Sequence, residues 1–273
     1  MSGTRLLSRK APATEASDRP ELSLADTSPT LPALLIVAHG ERGGAGDDRL
    51  VHDVAEKMRN SERYRNVQPC FLSKEPSLKS AFAGLSPGPV TIYPLFMSDG
   101  YFVKRAIPRS LAEADAGHDP ETYPVEISTP FGLSPHLPNL VTDLAMNTAH
   151  RAGRAARNCR LLLVAHGSKH DGASRSATHK LATNLAETNS FAGVEQCFLE
   201  EVPFLEDRIT TIKGPAIAVG LFVGQGMHGA VDLPGAVENS GRSDILLASP
   251  LGHSPNLIEI INDDLTTPAP TGG

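Results

Sequence analysis

The stretch LLIVAHG at residues 34–40 decides the fold, because it returns as LLLVAHG at residues 161–167. Further matches follow in the same order in both copies: CFL at 70–72 and 197–199, LF at 95–96 and 221–222, and SP at 134–135 and 254–255. A repeat of roughly 120 residues is too long for a solenoid unit and has the size of a domain. The sequence therefore predicts two homologous halves.

The repeat also predicts the domain organisation. We place the first half at residues 32–147 and the second at 159–265, joined by a short Ala- and Arg-rich connector. Residues 1–31 are rich in Ser, Thr, Pro and charged residues, and residues 266–273 read TTPAPTGG. Segments of this composition bury too little apolar surface to offset the entropy of ordering, so we expect flexible tails at both ends.

Each half alternates short apolar, β-rich runs with helical patterns, which is typical of a parallel sheet flanked by helices. Apolar residues recur at helical spacing around residues 50–58 and again around 177–185. We predict an α/β fold of two halves, each with a four-stranded, mainly parallel sheet. The predicted strands are 33–38, 67–72, 90–96 and 125–128 in the first half, and 160–165, 194–199, 216–223 and 244–248 in the second.

Composition excludes several classes of protein. The 273 residues are 40% hydrophobic and 21% charged, and no apolar run approaches the roughly 20 residues of a membrane span. A net charge of −6 argues against nucleic acid as the main partner. The three cysteines lack CxxC spacing, which fits neither a disulfide framework nor a cysteine zinc site, and Cys70 and Cys197 fall in apolar strands. We expect a cytoplasmic protein without export, with those two cysteines in the core.

Three residues of ligand type follow neighbouring strands of the second half. His166 comes directly after the first strand, Glu200 directly after the second, and His228 lies just beyond the third. Ligands of such sheets bind outside the carboxyl ends of the strands. Two imidazoles and one carboxylate suit a divalent first-row metal and leave coordination positions open. The pattern predicts a metal site formed by His166, Glu200 and His228.

The first half serves as an internal control for this site. His39 corresponds to His166, but Ser73 stands where Glu200 is expected and Phe102 where His228 is expected. A purely structural set of side chains would be needed in both copies. We therefore interpret the second half as active and the first as a degenerate copy that serves as a scaffold or as one wall of a cleft.

The same residues resemble a known family, the sirohydrochlorin chelatases of tetrapyrrole biosynthesis, in their long two-copy form. The resemblance rests on motifs that cover nearly everything between the tails: VAHGS at 164–168, CFLE at 197–200 followed by Pro203, GMH at 226–228, DLP at 232–234 and PLG at 250–252. It implies two flavodoxin-like halves with a cleft between them, and metal ligands at His166, Glu200 and His228. The first half departs from the motif at Ser73 and Phe102.

The resemblance implies a lyase that inserts Co²⁺ or Fe²⁺ into sirohydrochlorin or a closely related tetrapyrrole, in cobalamin or sirohaem biosynthesis. The metal is then a substrate, and no resident cofactor is expected. We expect His166 and His228 to combine metal delivery with abstraction of pyrrole protons, because imidazole titrates near neutral pH. Glu200 would supply charge. One chain holds both halves, so a monomer suffices.

A tetrapyrrole of this type carries up to eight carboxylates, so the cleft should offer cations. The candidates are Lys104, Arg105 and Arg109 in the first half, and Lys169, His170 and Arg175 in the second. His253 follows the fourth strand of the second half, and it is a further candidate for the same cleft.

Three alternatives compete with this interpretation. A strand that ends in His-Gly also opens the histidine phosphatases, but these need Arg before the histidine, and here Ala38 and Ala165 precede it. A non-catalytic carrier of divalent metal would need the ligands but no cleft of ring size. A ferrochelatase that acts on another porphyrin would handle a less carboxylated ring.

Overall fold

The computed structural model describes residues 31–40, 48–114, 121–169, 171–224 and 231–266. Apart from their inner ends at Leu31 and Thr266, the two predicted tails lie outside the described residues. The predicted limits of the two tails and the two halves stay a prediction.

Eight strands and eight α-helices alternate along the described chain. The first half contains β1 (Ala33–Ala38), α1 (Arg49–Arg59), β2 (Asn66–Phe71), α2 (Leu78–Ala83), β3 (Val90–Pro94), α3 (Ile107–Ala114), β4 (Val125–Ile127) and α4 (Leu137–Arg151). The second half contains β5 (Arg160–Ala165), α5 (Ala173–Glu187), β6 (Gly193–Phe198), α6 (Leu205–Thr211), β7 (Ala216–Gly220), α7 (Leu233–Asn239), β8 (Ile245–Leu247) and α8 (Leu257–Thr266). All eight predicted strands are present, within a few residues of their expected limits.

The third strand of each half is shorter than predicted. β3 ends at Pro94 instead of residue 96, and β7 ends at Gly220 instead of residue 223. The reason is the length of the neighbouring strand, because β1 stops at Ala38 and β5 at Ala165. A strand cannot continue once its partner turns away and leaves no backbone groups to pair with.

The two sheets have the same topology. Their strand orders are β2-β1-β3-β4 and β6-β5-β7-β8, and every pairing is parallel. The chain steps from β1 to β2 in one direction and then returns to place β3 on the other side of β1. The crevice between β1 and β3, and likewise between β5 and β7, is the topological switch point at which such sheets bind ligands.

Successive side chains of each central strand point to opposite faces of its sheet and enter different cores. Leu34 and Ile36 join a large core that is shared by both halves, whereas Leu35 and Val37 pack on α2 and α3. In the second half Leu161 and Leu163 enter the shared core, and their neighbours pack on α6 and α7. Such strands, buried on both faces, read as continuous apolar runs in the sequence.

The shared core holds the inner helices α1, α4, α5 and α8 between the two sheets. Helix α4 belongs to the first half but packs against β7 and β8 of the second. Helix α8 of the second half reaches back, where Asp264 accepts hydrogen bonds from Tyr93 (2.8 Å) and Ser134 (2.7 Å) of the first. The two halves therefore bury apolar surface against each other.

Two further observations bear on the composition arguments. Within the described residues, no helix combines the length and the apolar character that crossing a membrane requires. Cys70 and Cys197 are fully buried free thiols, as predicted. Burial raises the pKa of both thiols to about 12, so both are protonated near neutral pH.

Candidate functional site

The carboxyl edges of the two sheets lie against each other. The Tyr101 N–H, in the segment after β3, donates a hydrogen bond to Asp171 Oδ2 at 3.4 Å, in the segment after β5. On the other side, Gly252 follows β8 and lies so close to Leu50 of α1 that a Cβ would overlap its side chain. The residues that follow the strands of both halves therefore line one common cleft.

His166 and Glu200 lie side by side at this edge. The Glu200 N–H donates to the His166 carbonyl oxygen at 2.9 Å, which continues the pairing of β5 and β6 by one more bond. The His166 side chain is exposed, and its Nδ1 lies 3.0 Å from the Gly167 carbonyl oxygen. Two of the three predicted ligands are thus held at adjoining strand ends by the backbone.

The Glu200 carboxylate pairs with a lysine. Lys169 Nζ lies 2.8 Å from Glu200 Oε2, and the two side chains are 67% and 42% exposed. A cation beside this oxygen occupies one of the positions that a metal ion would take. An exposed pair of this kind contributes little to stability and is easily exchanged.

Gly167 gives the loop its shape. Its φ is +79°, and a Cβ would lie 2.8 Å from Glu201 Cγ and 3.0 Å from Phe198 Cβ. Only glycine combines this backbone conformation with so close an approach. The Gly167 N–H donates to Ser174 Oγ at 3.2 Å, which ties the loop to the first turn of α5. The glycine after the histidine is therefore a structural requirement.

Glu201 holds the same loop in place through hydrogen bonds from Ser168 and Arg175. Its Oε1 accepts a hydrogen bond from the Ser168 N–H at 3.2 Å, and its Oε2 accepts one from Arg175 Nε at 2.9 Å. The Glu201 side chain is only 12% exposed. Sequence reasoning missed this residue and assigned Arg175 to the substrate instead. In the structure Arg175 pairs with Glu201 and positions the loop that carries His166.

His228, the third predicted ligand, lies outside the described residues, as does His170. Within the described part of the chain, no group of three or more His, Cys, Asp or Glu side chains converges to hold a metal ion. The assignment of His166, Glu200 and His228 as a metal site stays a prediction.

The corresponding edge of the first half differs in chemistry. The His39 ring packs on Phe102, with ring centroids 4.6 Å apart and an interplanar angle of 45°. Ser73, which replaces the glutamate, donates its hydroxyl to the Gly40 carbonyl oxygen. This edge therefore presents an aromatic side chain and a satisfied hydroxyl where the second half offers Glu200.

Three of the remaining candidates lie in one segment, within or just before α3. Lys104 pairs with Asp99 at 2.6 Å, Arg109 pairs with Glu113 at 2.8 Å, and Arg105 is exposed between them. His253 lines a cavity together with α1 and with Gly252 and Leu50, the residues at which the two halves approach each other on the other side. Whether His253 contributes to the predicted metal site stays a prediction.

One signal in the sequence would have found the Glu201 pair. At the spacing of the repeat, Arg175 corresponds to Asp48 and Glu201 to Lys74, and Asp48 and Lys74 form an ion pair in the first half. The same contact is present in both halves with its charges exchanged. A search for paired changes between the copies would have revealed it.

Comparison with known proteins places this geometry in context. The CbiX family model matches residues 33–148 and again residues 160–267. A probable sirohydrochlorin cobaltochelatase of Halobacterium salinarum is 27% identical over 221 residues, which cover 74% of this chain and 75% of that protein.

Two solved structures are similar to this chain in fold. The structure of CbiX, described as the terminal enzyme for biosynthesis of sirohaem in denitrifying bacteria, is 31% identical with a TM-score of 0.72, and the match covers 85% of this chain and 97% of that one. SirB from Bacillus subtilis, solved with Fe³⁺, shares the fold with a TM-score of 0.71 at 18% identity, over 86% of this chain and 94% of that one.

Proposed function

Because the chain belongs to the CbiX family, we propose that it is a chelatase that inserts Co²⁺ or Fe²⁺ into sirohydrochlorin. The observation that carries the proposal is the difference between two family-matched halves. Both keep a histidine followed by a glycine with φ of +79°, and in both a residue just after the next strand donates its N–H to the histidine carbonyl oxygen. At that position the second half has the carboxylate of Glu200 and the first half has Ser73.

The chemistry requires a site that binds the metal ion and then releases it. Imidazole nitrogen and carboxylate oxygen are adequate ligands for Co²⁺ and Fe²⁺. We assign His166 and Glu200 to the ion, with His228 as a third ligand. Insertion also releases two pyrrole protons, and a neutral imidazole that loses its metal can accept one of them. His166 is exposed at the cleft, where the ring and the ion must meet.

The Lys169 ion pair fits a site of moderate affinity. When the ion binds, the Glu200 carboxylate exchanges an ammonium group for the metal, and when the ion leaves, the lysine neutralises the carboxylate again. This exchange weakens metal binding by a small amount and favours release. The proposed function therefore uses Lys169 as a competitor of the metal, not as a ligand of the substrate.

Three further features belong to the proposal. A single chain supplies both walls of the cleft, which favours a monomer. The buried thiols of Cys70, Cys159 and Cys197 are compatible with a reducing cytoplasm. The metal is a substrate, and the site has no need of a resident cofactor. The product would serve cobalamin or sirohaem formation according to the metal that is supplied.

An anaerobic absorbance assay tests the proposal. Purified protein is mixed with sirohydrochlorin and Co²⁺ or Fe²⁺, next to the variant His228→Ala. We expect metal-dependent conversion of the free-base spectrum above the spontaneous rate, and its loss in the variant. Tight binding of Co²⁺ without any change in the ring spectrum would contradict the proposal and indicate a metal carrier.

A further inference from the structure

The switch point of the first sheet carries an exposed group of aromatic side chains. Phe96 follows β3, and Tyr101 and Phe102 open the π-helical turn Phe102–Ala106 that leads into α3. At the spacing of the repeat, Met227 and His228 stand where Tyr101 and Phe102 stand, so the aromatic pair is particular to the first half. We call Phe96, Tyr101 and Phe102 the aromatic platform.

The three rings pack on one another in a defined way. Phe96 and Phe102 stack, with centroids 5.6 Å apart and an interplanar angle of 21°. Tyr101 meets Phe102 edge to face at 5.7 Å. His39 lies against Phe102 on the side of β1. These are favourable aromatic geometries, so the rings hold each other in place without a partner from outside.

The platform is nonetheless open to solvent. Tyr101 is 58% exposed and Phe102 is 39% exposed. A contiguous exposed apolar patch on a folded protein usually marks a binding surface. Here the patch lies at the topological switch point, where sheets of this type bind their ligands.

The platform is held against the loop that carries His166. Asp171 accepts a hydrogen bond from the Tyr101 N–H through Oδ2, and through Oδ1 it accepts one from the Ala173 N–H (3.0 Å) at the start of α5. A Cβ on Gly100 would lie 3.2 Å from Asp171 Oδ2 and 3.3 Å from Ala173 Cβ. The aromatic platform is therefore one wall of the cleft whose other wall is the predicted metal site.

Two cations lie next to the platform, and one of them, Lys104, is paired with Asp99. Lys104 and Arg105 lie in the same π-helical turn and are exposed. A flat, largely apolar macrocycle with carboxylates around its edge matches a surface of aromatic faces with cations beside it.

From this arrangement we infer that the aromatic platform of the degenerate half is the surface on which the face of the tetrapyrrole lies, while the second half presents the metal ion to the other face. The inference rests on the proposed function and assigns the two halves different tasks. Phe102 stands at the position of the predicted ligand His228, and Tyr101 at that of its neighbour Met227.

The test is the affinity for metal-free sirohydrochlorin, measured by absorbance titration with the full chain. Tyr101→Leu and Phe102→Leu keep apolar surface but remove the aromatic faces. Each should raise the Kd for the ring about tenfold, in line with stacking of flat rings on aromatic side chains. The Kd for Co²⁺ and the far-ultraviolet circular dichroism should not change. Tyr101→Phe should bind the ring as tightly as the wild type.

Val125→Ala is the matched control. Val125 is as exposed as Phe102, at 39%, but it begins the edge strand β4 and lies at the amino end of the sheet. If the wild type binds and metallates the ring while both leucine variants bind it as well as Val125→Ala does, the platform is overturned and the chelatase stands. If the wild type neither binds nor metallates sirohydrochlorin, the proposed function and the platform are overturned together.

Discussion

The two halves of the molecule share a fold and differ at the edge where chemistry takes place. After β5, His166 lies beside Glu200, and after β1, His39 packs against Phe102. Both histidines precede a glycine with φ of +79°. The comparison separates features that the fold explains, which are present twice, from the carboxylate of Glu200, which is present at this position once and which the proposed reaction would use.

Features kept in both halves have structural explanations. Gly40 and Gly167 each lie so close to the following strand that a Cβ would approach a phenylalanine Cβ to 3.0 Å or less. Cys70 and Cys197 each donate a thiol hydrogen bond to a backbone carbonyl of the central strand, at 3.6 and 3.7 Å. Sequence identity between the copies at such positions therefore says little about function.

The largest expected effect is on the histidines. His166→Ala should lower the rate of metal insertion by about 100-fold or more, since it removes a metal ligand and a proton acceptor together. His39→Ala should lower it by less than about fivefold, because Ser73 stands in the first half at the position of Glu200. Steady-state rates with sirohydrochlorin and Co²⁺ measure both. Equal losses in the two variants would show that the halves are not functionally distinct.

The exchanged ion pair gives a second test, on stability. Glu201→Lys places like charges against Arg175 and removes the acceptor of the Ser168 N–H, so it should lower the free energy of unfolding by about 2 kcal/mol. Adding Arg175→Asp restores the arrangement of the first half and should recover roughly half of this loss. Urea denaturation reports the coupling. Additive effects of the two substitutions would mean that the pair does not hold the loop.

A smaller effect is expected at Lys169. Lys169→Gln removes the cation that competes for Glu200, so Co²⁺ should bind about threefold more tightly. Lys104→Gln is the matched control, because Lys104 pairs with Asp99 in the first half at 2.6 Å and with similar exposure. Isothermal titration with Co²⁺ compares the two. Weaker binding in Lys169→Gln would show that the lysine supports the site instead of competing with the metal.

The smallest effect concerns Asp264 of α8, which accepts hydrogen bonds from the first half. Counted from Leu137 and Leu257, which begin α4 and α8, the buried Leu144 corresponds to Asp264. Burial raises the pKa of the Asp264 carboxyl, and the hydrogen bonds from Ser134 and Tyr93 lower it only in part. A raised pKa in the folded state gives stability that is present at acid pH and is lost as pH rises through the folded value.

Asp264→Asn should remove this dependence. The melting temperature of the wild type minus that of the variant should be largest near pH 4 and should fall by a few degrees toward pH 7. A difference that does not vary with pH would show that the carboxyl titrates alike in the folded and unfolded chain.

Much of the fold could be predicted because it depends on local pattern. The apolar runs and the repeat located all eight strands, and the error at β3 and β7 came from the length of neighbouring strands. The positions of α4 and α8 could not be predicted. Each has an ordinary apolar stripe, and nothing in such a stripe tells which sheet will cover it.

The candidate site divides in the same way. His166 and Glu200 could be placed because parallel strands bring their carboxyl ends to one edge. The partners of Arg175 and Lys169 could not be placed, because a charged residue after a strand looks the same whether it binds substrate or an acidic neighbour. Only the contact itself, at 2.9 Å for Arg175 and 2.8 Å for Lys169, distinguishes the two.

The most direct test of the central claim is the number of Co²⁺ ions bound per chain. It is measured anaerobically by titration of the wild type, His166→Ala and His39→Ala. We predict one ion per chain for the wild type and for His39→Ala, and none for His166→Ala. Two ions in the wild type, or loss of the ion on replacing His39, would contradict the assignment of the metal site to the second half.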